Sequence, residues 1–253
     1  MDLPEAVQAR LIRMGKDILD PDEIIPLGSE AEPDVTPDPP TDWWAALAPK
    51  DLVRWLLIAD GPNLPDGALV GIETAPTAPW PHQKFVARRI VDAWPLSFMM
   101  CDEVGLGKTI EAGLAIRGLV LSGIARRVLI AAPASLTRQW QREMRSKFLL
   151  DFARAAPRPG GMRHEHLLPD GTVEDRREGA MLDPAFTIAS TGLMTHSGRR
   201  SEVADAAGWD IALLDEAHYA RGRESANQLF RLVEQKIRPR AKSRGLATAT
   251  PMQ

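Results

Sequence analysis

The sequence predicts an α/β fold in which a parallel β-sheet is covered by helices on both faces. Buried strands are indicated by short, almost continuously apolar runs, namely 96–101, 127–132, 186–190, 210–215 and 245–250. Amphipathic helical patterns separate these runs, at 83–93, 108–122, 134–148 and 224–236. Strands that alternate with helices pair in parallel, and ligands of such sheets bind at the carboxyl ends of the strands.

A small, mainly helical accessory region is predicted ahead of this sheet. Residues 1–75 contain 15 acidic and 5 basic residues, a formal charge of −10, whereas residues 76–253 carry +7. The stretch SEAEPDVTPDPPT at 29–41 contains four prolines, which predicts an extended linker. One face of an N-terminal helix is apolar, which predicts that it packs against another surface: Leu3, Val7, Leu11, Met14 and Ile18. The positive second part fits either a polyanion or an ordinary solvated surface.

Composition excludes several classes of protein. No apolar run approaches the roughly 20 residues that a membrane helix needs, and the N-terminus has no signal-sequence pattern, so we expect a cytoplasmic protein without membrane contact. Cys101 is the only cysteine, which excludes an intramolecular disulfide, and its apolar neighbours predict a buried thiol. The glycine- and proline-rich stretch 151–184 interrupts the strand-helix alternation. We expect His164 and His166 in a solvated loop there, not as metal ligands.

A phosphate-binding loop is predicted by the segment CDEVGLGKT, residues 101–109, which joins a strand to a helix. Backbone N–H groups at a helix N-terminus attract anions. Gly105 and Gly107 allow the backbone to curl, Lys108 can reach the β- and γ-phosphates of ATP, and Thr109 can place its hydroxyl on Mg²⁺. A tight strand-to-helix turn without ligand is the alternative interpretation of the segment by itself.

A second chemical element is the segment DIALLDEAH, which places Asp215 and Glu216 at the carboxyl end of a buried strand. Two adjacent carboxylates are costly there unless they are paired or bind a cation. In an ATPase, Asp215 holds Mg²⁺ and Glu216 orients and deprotonates the attacking water. Capping of the next helix is the structural alternative. A second site at the same sheet edge favours the catalytic interpretation.

The segments PHQ (81–83), DEVGLGKT, LLDEAH and LATATP occur in this order and together resemble the first lobe of superfamily 2 helicase-like ATPases. The acidic Asp102–Glu103 lead-in resembles the Swi/Snf-type translocases of double-stranded DNA. The continuation TIEAGL, with Glu111, is similar to a bacterial branch that includes the RNA polymerase-associated ATPase and DISARM-type phage-defence helicases. The resemblance covers about residues 76–253 and implies a RecA-like, P-loop and DEAH-box lobe.

The resemblance also implies roles for individual residues. Gln83 would contact the adenine edge and His82 would shape the base pocket. Leu106 belongs to the matched phosphate loop. Thr248 and Thr250 would couple the nucleotide state to the DNA surface, although turn formation before Pro251 is the favoured interpretation of such a pair by itself.

Two segments match the DNA-contacting motifs of that family. Residues 131–140, AAPASLTRQW, would place Pro133, Ser135 and Leu136 near a phosphate backbone, and IASTGLM would do so through Ser190 and Thr191. Gln139 and Trp140 match the following helix, where we expect Trp140 to be buried packing. The basic run 236–244 is predicted as a solvated loop, with a nucleic-acid groove as the alternative.

Members of the resembled family continue into a second RecA-like lobe that supplies catalytic arginines, and no motif of that lobe occurs in residues 1–253. We therefore expect this chain by itself to bind MgATP and duplex DNA weakly and to hydrolyse ATP near background. The main alternatives are an RNA or single-stranded DNA helicase lobe, and a non-catalytic module that docks a partner through residues 1–75.

Overall fold

The computed structural model describes residues 67–101, 107–159, 161–168, 170–176, 179–220 and 228–248. The helices in these residues are α1 (Gly67–Glu73), α2 (Pro81–Asp92), α3 (Lys108–Leu121), α4 (Thr137–Phe148), α5 (Thr191–Thr195), α6 (Arg200–Asp205) and α7 (Gln228–Leu232). The strands are β1 (Phe98–Met100), β2 (Val128–Ala132), β3 (Ala153–Arg158), β4 (Gly161–Leu167), β5 (Val173–Arg176), β6 (Phe186–Ser190), β7 (Trp209–Leu214) and β8 (Ala241–Ala247).

The described strands form one sheet in the order β1-β8-β7-β2-β6-β3-β4-β5. The first six pair in parallel, with Ile130 of β2 opposite Leu213 of β7 and Ile188 of β6. β4 and β5 extend the sheet as antiparallel strands. The predicted α/β fold with a mainly parallel sheet is therefore confirmed.

Side chains of β2 alternate between two hydrophobic clusters, one on each face of the sheet. Val128, Ile130 and Ala132 pack in one cluster with residues from α2, α3 and α4. Leu129 and Ala131 pack in the other with residues from α5, α6 and α7. All five β2 residues are buried, as expected for a strand covered on both sides.

Helix α3 is buried on all sides because α1, α2 and α4 pack against it. Residues Glu111–Leu119 are all buried, and a Cβ added to Gly71 would lie 2.6 Å from Gly118 Cα, so α1 and α3 touch backbone to backbone. Arg117 joins three segments by donating hydrogen bonds to Phe148 O at 3.0 Å, Thr74 Oγ1 at 2.9 Å and Gly71 O. Burial lowers the pKa of this guanidinium to about 10.

The compact unit that contains the sheet begins at Asp66, whereas we expected the boundary between residues 75 and 76. The contacts of α1 with α3 explain this difference, since Leu69, Ile72 and Ala75 pack in the same core cluster as α3. The proposed accessory region and its linker at 29–41 lie outside the described residues.

Residues 151–184 contain three strands, whereas their sequence predicts only a turn at PDGT (169–172), which suits a small hairpin. Asp170 Oδ1 accepts the backbone N–H of Thr172 at 2.9 Å in the β4–β5 connection, so the expected turn is present. The prediction of a solvated loop for His164 and His166 was wrong, because both lie in β4 and are buried. His164 Nε2 contacts Met181 O at 3.2 Å, and His166 Nδ1 lies 3.3 Å from Asp151 Oδ2. No metal-binding group of three or more His, Cys, Asp or Glu occurs in the described residues.

Two further expectations are corrected by the structure. Cys101 is exposed, because it follows β1, an edge strand in which only Met100 is buried, so the buried strand predicted at 96–101 is not fully buried. The basic run 236–244 is not a loop. Its first two residues are the end of a π-helical turn, residues 238–240 form a 3-10 turn, and the rest belongs to β8, where Ser243 and Gly245 are buried. Lys242 binds Asp210 Oδ1 at 2.7 Å near the amino ends of β7 and β8, at the sheet edge opposite Asp215.

Among the residues that the structure describes, no helix has both the length and the apolar character that crossing a membrane requires.

Candidate functional site

The amino end of α3 forms one side of a cleft. Gly107 caps this helix with φ 89° and ψ 38°, a left-handed conformation that glycine adopts without steric cost. Lys108 and Thr109 are the first two residues of α3, are half-buried and line the cleft. Their place at a helix N-terminus fits an anion held by backbone N–H groups and Lys108. Gly105 and Leu106, also predicted for the phosphate loop, lie outside the described residues.

Asp215 and Glu216 face this helix end across the cleft, directly after β7. The backbone N–H of Asp215 donates to Ala131 O at 2.8 Å, which continues the pairing of β7 with β2. The Asp215 carboxylate accepts two hydrogen bonds, from Glu216 N to Oδ1 at 2.9 Å and from Trp140 Nε1 to Oδ2 at 2.7 Å. Glu216 has a φ of 52°, which is uncommon for a residue with a side chain and turns the chain sharply at this point.

His218 connects Glu216 to the end of β8. Its Nδ1 lies 3.0 Å from Glu216 Oε2 and 3.2 Å from Thr248 Oγ1. Thr248 is buried and its N–H donates to Met100 O at 3.1 Å, next to the segment that leads into the phosphate loop. Thr248 therefore contacts both His218 and the end of β1, and its role as a coupling residue stays a prediction. Thr250 lies outside the described residues.

Gln83 closes the cleft beside Gly107. It is 6% exposed, and its Oε1 accepts the N–H of Trp80 at 2.9 Å at the start of α2. Gln83 and Trp80 both line the cleft. His82 is exposed, and its ring centroid lies 5.5 Å from that of Trp80, so it contacts the cleft wall through this ring.

The cleft has a volume of about 520 Å³, within the range of small-molecule sites. Its lining combines a cation and a helix N-terminus with carboxylate, amide and indole groups: Thr77, Ala78, Trp80, Gln83, Gly107, Lys108, Thr109, Ile110, Leu136, Gln139, Trp140, Glu143, Lys147, Asp215 and Glu216. A hydroxyl and a carboxylate are ligands that Mg²⁺ accepts alongside water and phosphate oxygens. The residues present thus fit a nucleotide phosphate with a divalent cation.

The predicted DNA-contacting residues lie at the same sheet edge, after the neighbouring strands β2 and β6. Ser135 is exposed and Pro133 is half-buried, while Leu136 lines the cleft and packs on the core. Ser190 Oγ accepts the Leu193 N–H at 3.1 Å and caps α5. The contact of these residues with DNA stays a prediction.

Sequence reasoning missed several residues of the cleft wall, because their placement depends on packing between distant elements. Trp140 was expected to be buried, and it is 3% exposed. Its hydrogen bond to Asp215 was not expected. Glu143 and Lys147 follow on the same helix, and their side chains pair with each other at 3.1 Å. A helical spacing of three and seven residues from Trp140 was the only signal for these two.

Comparison with known proteins agrees with this geometry. The family model described as SNF2-related domain matches residues 53–253. The RNA polymerase-associated protein RapA of Stutzerimonas stutzeri strain A1501 is 38% identical over 170 residues, which are 66% of this chain and 16% of that protein. RapA of Pseudomonas aeruginosa strain LESB58 is 34% identical over 194 residues, 76% of this chain and 19% of that protein. The chain therefore spans less than a fifth of the length of these relatives.

Among solved structures, the Sulfolobus solfataricus SWI2/SNF2 ATPase core in complex with dsDNA is similar, with a TM-score of 0.52 and 18% identity over 70% of this chain and 33% of that one. At this identity the likeness concerns the fold, which is RecA-like in both.

Proposed function

The chain belongs to the SNF2-related family, and from that premise we propose that it forms the ATP- and Mg²⁺-binding lobe of an ATP-dependent translocase of double-stranded DNA. One observation carries the proposal: Lys108 at the amino end of α3 and Asp215 with Glu216 at the end of β7 line the same cleft. These residues are more than 100 positions apart in the sequence, and neither a tight turn nor a helix cap requires them to meet. A site for the phosphates of a nucleotide does.

The chemistry of each group follows from its position. Lys108 and the amino end of α3 hold the phosphate charge. Thr109 and Asp215 would hold Mg²⁺, which neutralises charge on the phosphate oxygens when it is bound. Glu216 accepts a proton from the attacking water and orients it. His218, 3.0 Å from Glu216 Oε2, holds that carboxylate in place.

Binding of MgATP to a Lys108→Ala variant tests the proposal. Lys108 lies at the mouth of the cleft and contributes a charge, so we expect its removal to lower MgATP affinity at least tenfold in calorimetry with an unchanged unfolding midpoint. Lys242→Ala is the matched control, because Lys242 is 68% exposed and lies at the opposite sheet edge. Equal MgATP affinity of wild type and Lys108→Ala would contradict the proposal.

Double-stranded DNA is the proposed polymer, on the DEVGLGKT lead-in and the two segments that begin at Pro133 and Ser190. The solved relative named above was studied in complex with dsDNA. Competition between duplex DNA, single-stranded DNA and RNA tests this choice. We expect duplex DNA to bind most tightly, with an affinity that falls steeply with salt. A preference for RNA would instead favour the helicase alternative.

We further propose a protein partner for residues 1–75, on their acidic composition and apolar helical pattern. The relatives named above are described as RNA polymerase-associated, and phage defence is a second setting that the motif resemblance allows. A cytoplasmic location is part of this proposal. A pull-down tests the proposed partner, with purified RNA polymerase as one defined candidate and residues 1–75 as bait. The control bait is the same polypeptide with the acidic stretch 29–41 replaced by a neutral linker. Equal capture by both polypeptides would exclude a role for the charge.

A second RecA-like lobe is also part of the proposed enzyme. Negative charge builds up on the transferred phosphoryl group in the transition state, and related ATPases stabilise it with an arginine from that lobe. We expect residues 1–253 alone to hydrolyse ATP near background without a response to DNA. The measurement is steady-state turnover with and without an added second-lobe polypeptide. Robust DNA-stimulated turnover by residues 1–253 alone would contradict this part of the proposal.

A further inference from the structure

We propose that Trp140 is a positioning residue that fixes the orientation of the Asp215 carboxylate and ties it to the segment 133–136. This inference rests on the proposed function, in which Asp215 holds Mg²⁺ and residues 133–136 face DNA. The observation that carries it is the hydrogen bond of 2.7 Å from Trp140 Nε1 to Asp215 Oδ2 across the cleft.

The two bonds to Asp215 define how its carboxylate is turned. Oδ1 accepts the Glu216 N–H at 2.9 Å and Oδ2 accepts the Trp140 indole. A carboxylate has about four lone-pair positions, so two remain for a cation or its water ligands. Hydrogen bonds to an ionised group are the stronger ones. Trp140 therefore holds Asp215 ready for Mg²⁺ and does not compete for all of its acceptors.

Burial of an indole does not by itself explain this bond. Trp209 is 1% exposed, and its Nε1 has no hydrogen-bond partner among the described residues. The fold thus buries one tryptophan without satisfying its N–H group. The indole N–H of Trp140 instead donates to the carboxylate of Asp215, the proposed Mg²⁺ ligand. Trp140 therefore has a polar contact that packing alone does not require.

Helix α4 connects this indole to the predicted DNA surface. The backbone N–H of Trp140 donates to Leu136 O at 2.9 Å, and the backbone N–H of Leu136 donates to Pro133 O at 2.9 Å. These two consecutive hydrogen-bonded turns restrict the position of the Trp140 ring relative to residue 133. A shift of the segment 133–136 on DNA contact would move the indole relative to Asp215, which gives DNA a direct route to the Mg²⁺ site.

Substitution of Trp140 by Phe tests the inference, because it keeps an aromatic ring and removes the N–H group. We expect the variant to bind MgATP about tenfold more weakly and to need a higher Mg²⁺ concentration for half-maximal binding, while its affinity for ATP in EDTA changes less than twofold. Trp209→Phe is the matched control and should leave both affinities within twofold. An effect of equal size with and without Mg²⁺ would show that Trp140 is structural only.

Indole NMR provides a readout that does not depend on hydrolysis or on a folded variant at residue 140. In ¹⁵N-labelled wild-type protein, we expect one tryptophan indole resonance to be shifted and protected from exchange, to move with Asp215→Asn and to respond to MgATP. The Trp209 resonance, assigned through Trp209→Phe, should not respond. The inference is overturned if Trp140→Phe binds MgATP as tightly as wild type and no indole resonance responds to MgATP or to Asp215→Asn. If MgATP binding still depends on Lys108 in that case, the proposed function stands.

Discussion

Substitution of Gly107 by Ala should weaken both the fold and nucleotide binding, for two separable reasons. Gly107 has φ 89°, and a left-handed backbone costs an L-residue about 1–2 kcal/mol. An added Cβ would also lie 2.3 Å from Gln83 Nε2, so the Gln83 side chain must move. Gln83 is buried and accepts the Trp80 N–H at 2.9 Å, and loss of that hydrogen bond costs about 1 kcal/mol.

Gly123 offers the matched control. It has φ 71°, and no atom of the described structure lies within 4 Å of a Cβ added there. Gly123→Ala therefore carries the backbone cost alone, about 1–2 kcal/mol, whereas Gly107→Ala should cost about 2–3 kcal/mol in total. The control lies beyond the far end of α3, away from the cleft.

Urea denaturation measures both free energies of unfolding, and calorimetry measures MgATP affinity. We expect Gly107→Ala to lose affinity at least tenfold, because Gln83 and the amino end of α3 both shift, and Gly123→Ala to keep wild-type affinity. The reasoning is refuted if the two variants lose the same stability and bind MgATP equally well. Stability loss without affinity loss would separate the helix cap from the nucleotide site.

Three further predictions follow from the same structure. Gly113→Ala should destabilise the protein by about 1–3 kcal/mol in denaturant titration, since its Cβ would lie 2.2 Å from the buried Phe148 ring; unchanged stability would mean that the ring moves at no cost. Burial raises the pKa of Asp210, but the Lys242 hydrogen bond and charge and two backbone N–H groups outweigh it and hold this pKa below its usual range. Asp210 thus stabilises the fold above its unfolded pKa and loses this effect as the pH falls through its folded pKa. The Asp210→Asn variant should therefore lose less stability than wild type as the pH falls below about 4. Identical acid-unfolding curves of the two proteins would contradict this prediction. Glu216→Gln should retain MgATP affinity within about threefold while turnover of the two-lobe enzyme falls at least a hundredfold; retained turnover would assign the base elsewhere.

Much of the parallel sheet could be predicted from the sequence alone. The β2 segment is apolar at every position, and burial on both faces requires that pattern. The same argument placed Lys108 and Asp215 in one cleft, because the carboxyl ends of parallel strands share an edge. The family followed from the motifs carried by these strand ends.

Strand β3 and the antiparallel strands β4 and β5 could not be predicted in this way. β4 contains His164, Glu165 and His166, and all three are buried, which no hydrophobicity pattern indicates. Glu165 is tolerated there because Arg154 and Arg163 bind its carboxylate, Arg163 Nη2 at 2.7 Å from Oε1. The Arg154–Glu165 pair depends on the register of β3 and β4, which local composition does not encode.

The sequence by itself thus determined the family, the strand ends that meet at the candidate site and the burial of Trp140. Only the tertiary structure decided that the Trp140 indole binds Asp215, that His218 reaches Thr248, and that the basic run enters β8 at the edge opposite the cleft. The physical reason is distance along the chain. Periodicity and motif chemistry act over a few residues, whereas the Trp140–Asp215 hydrogen bond joins groups that come within reach only when α4 packs against the sheet.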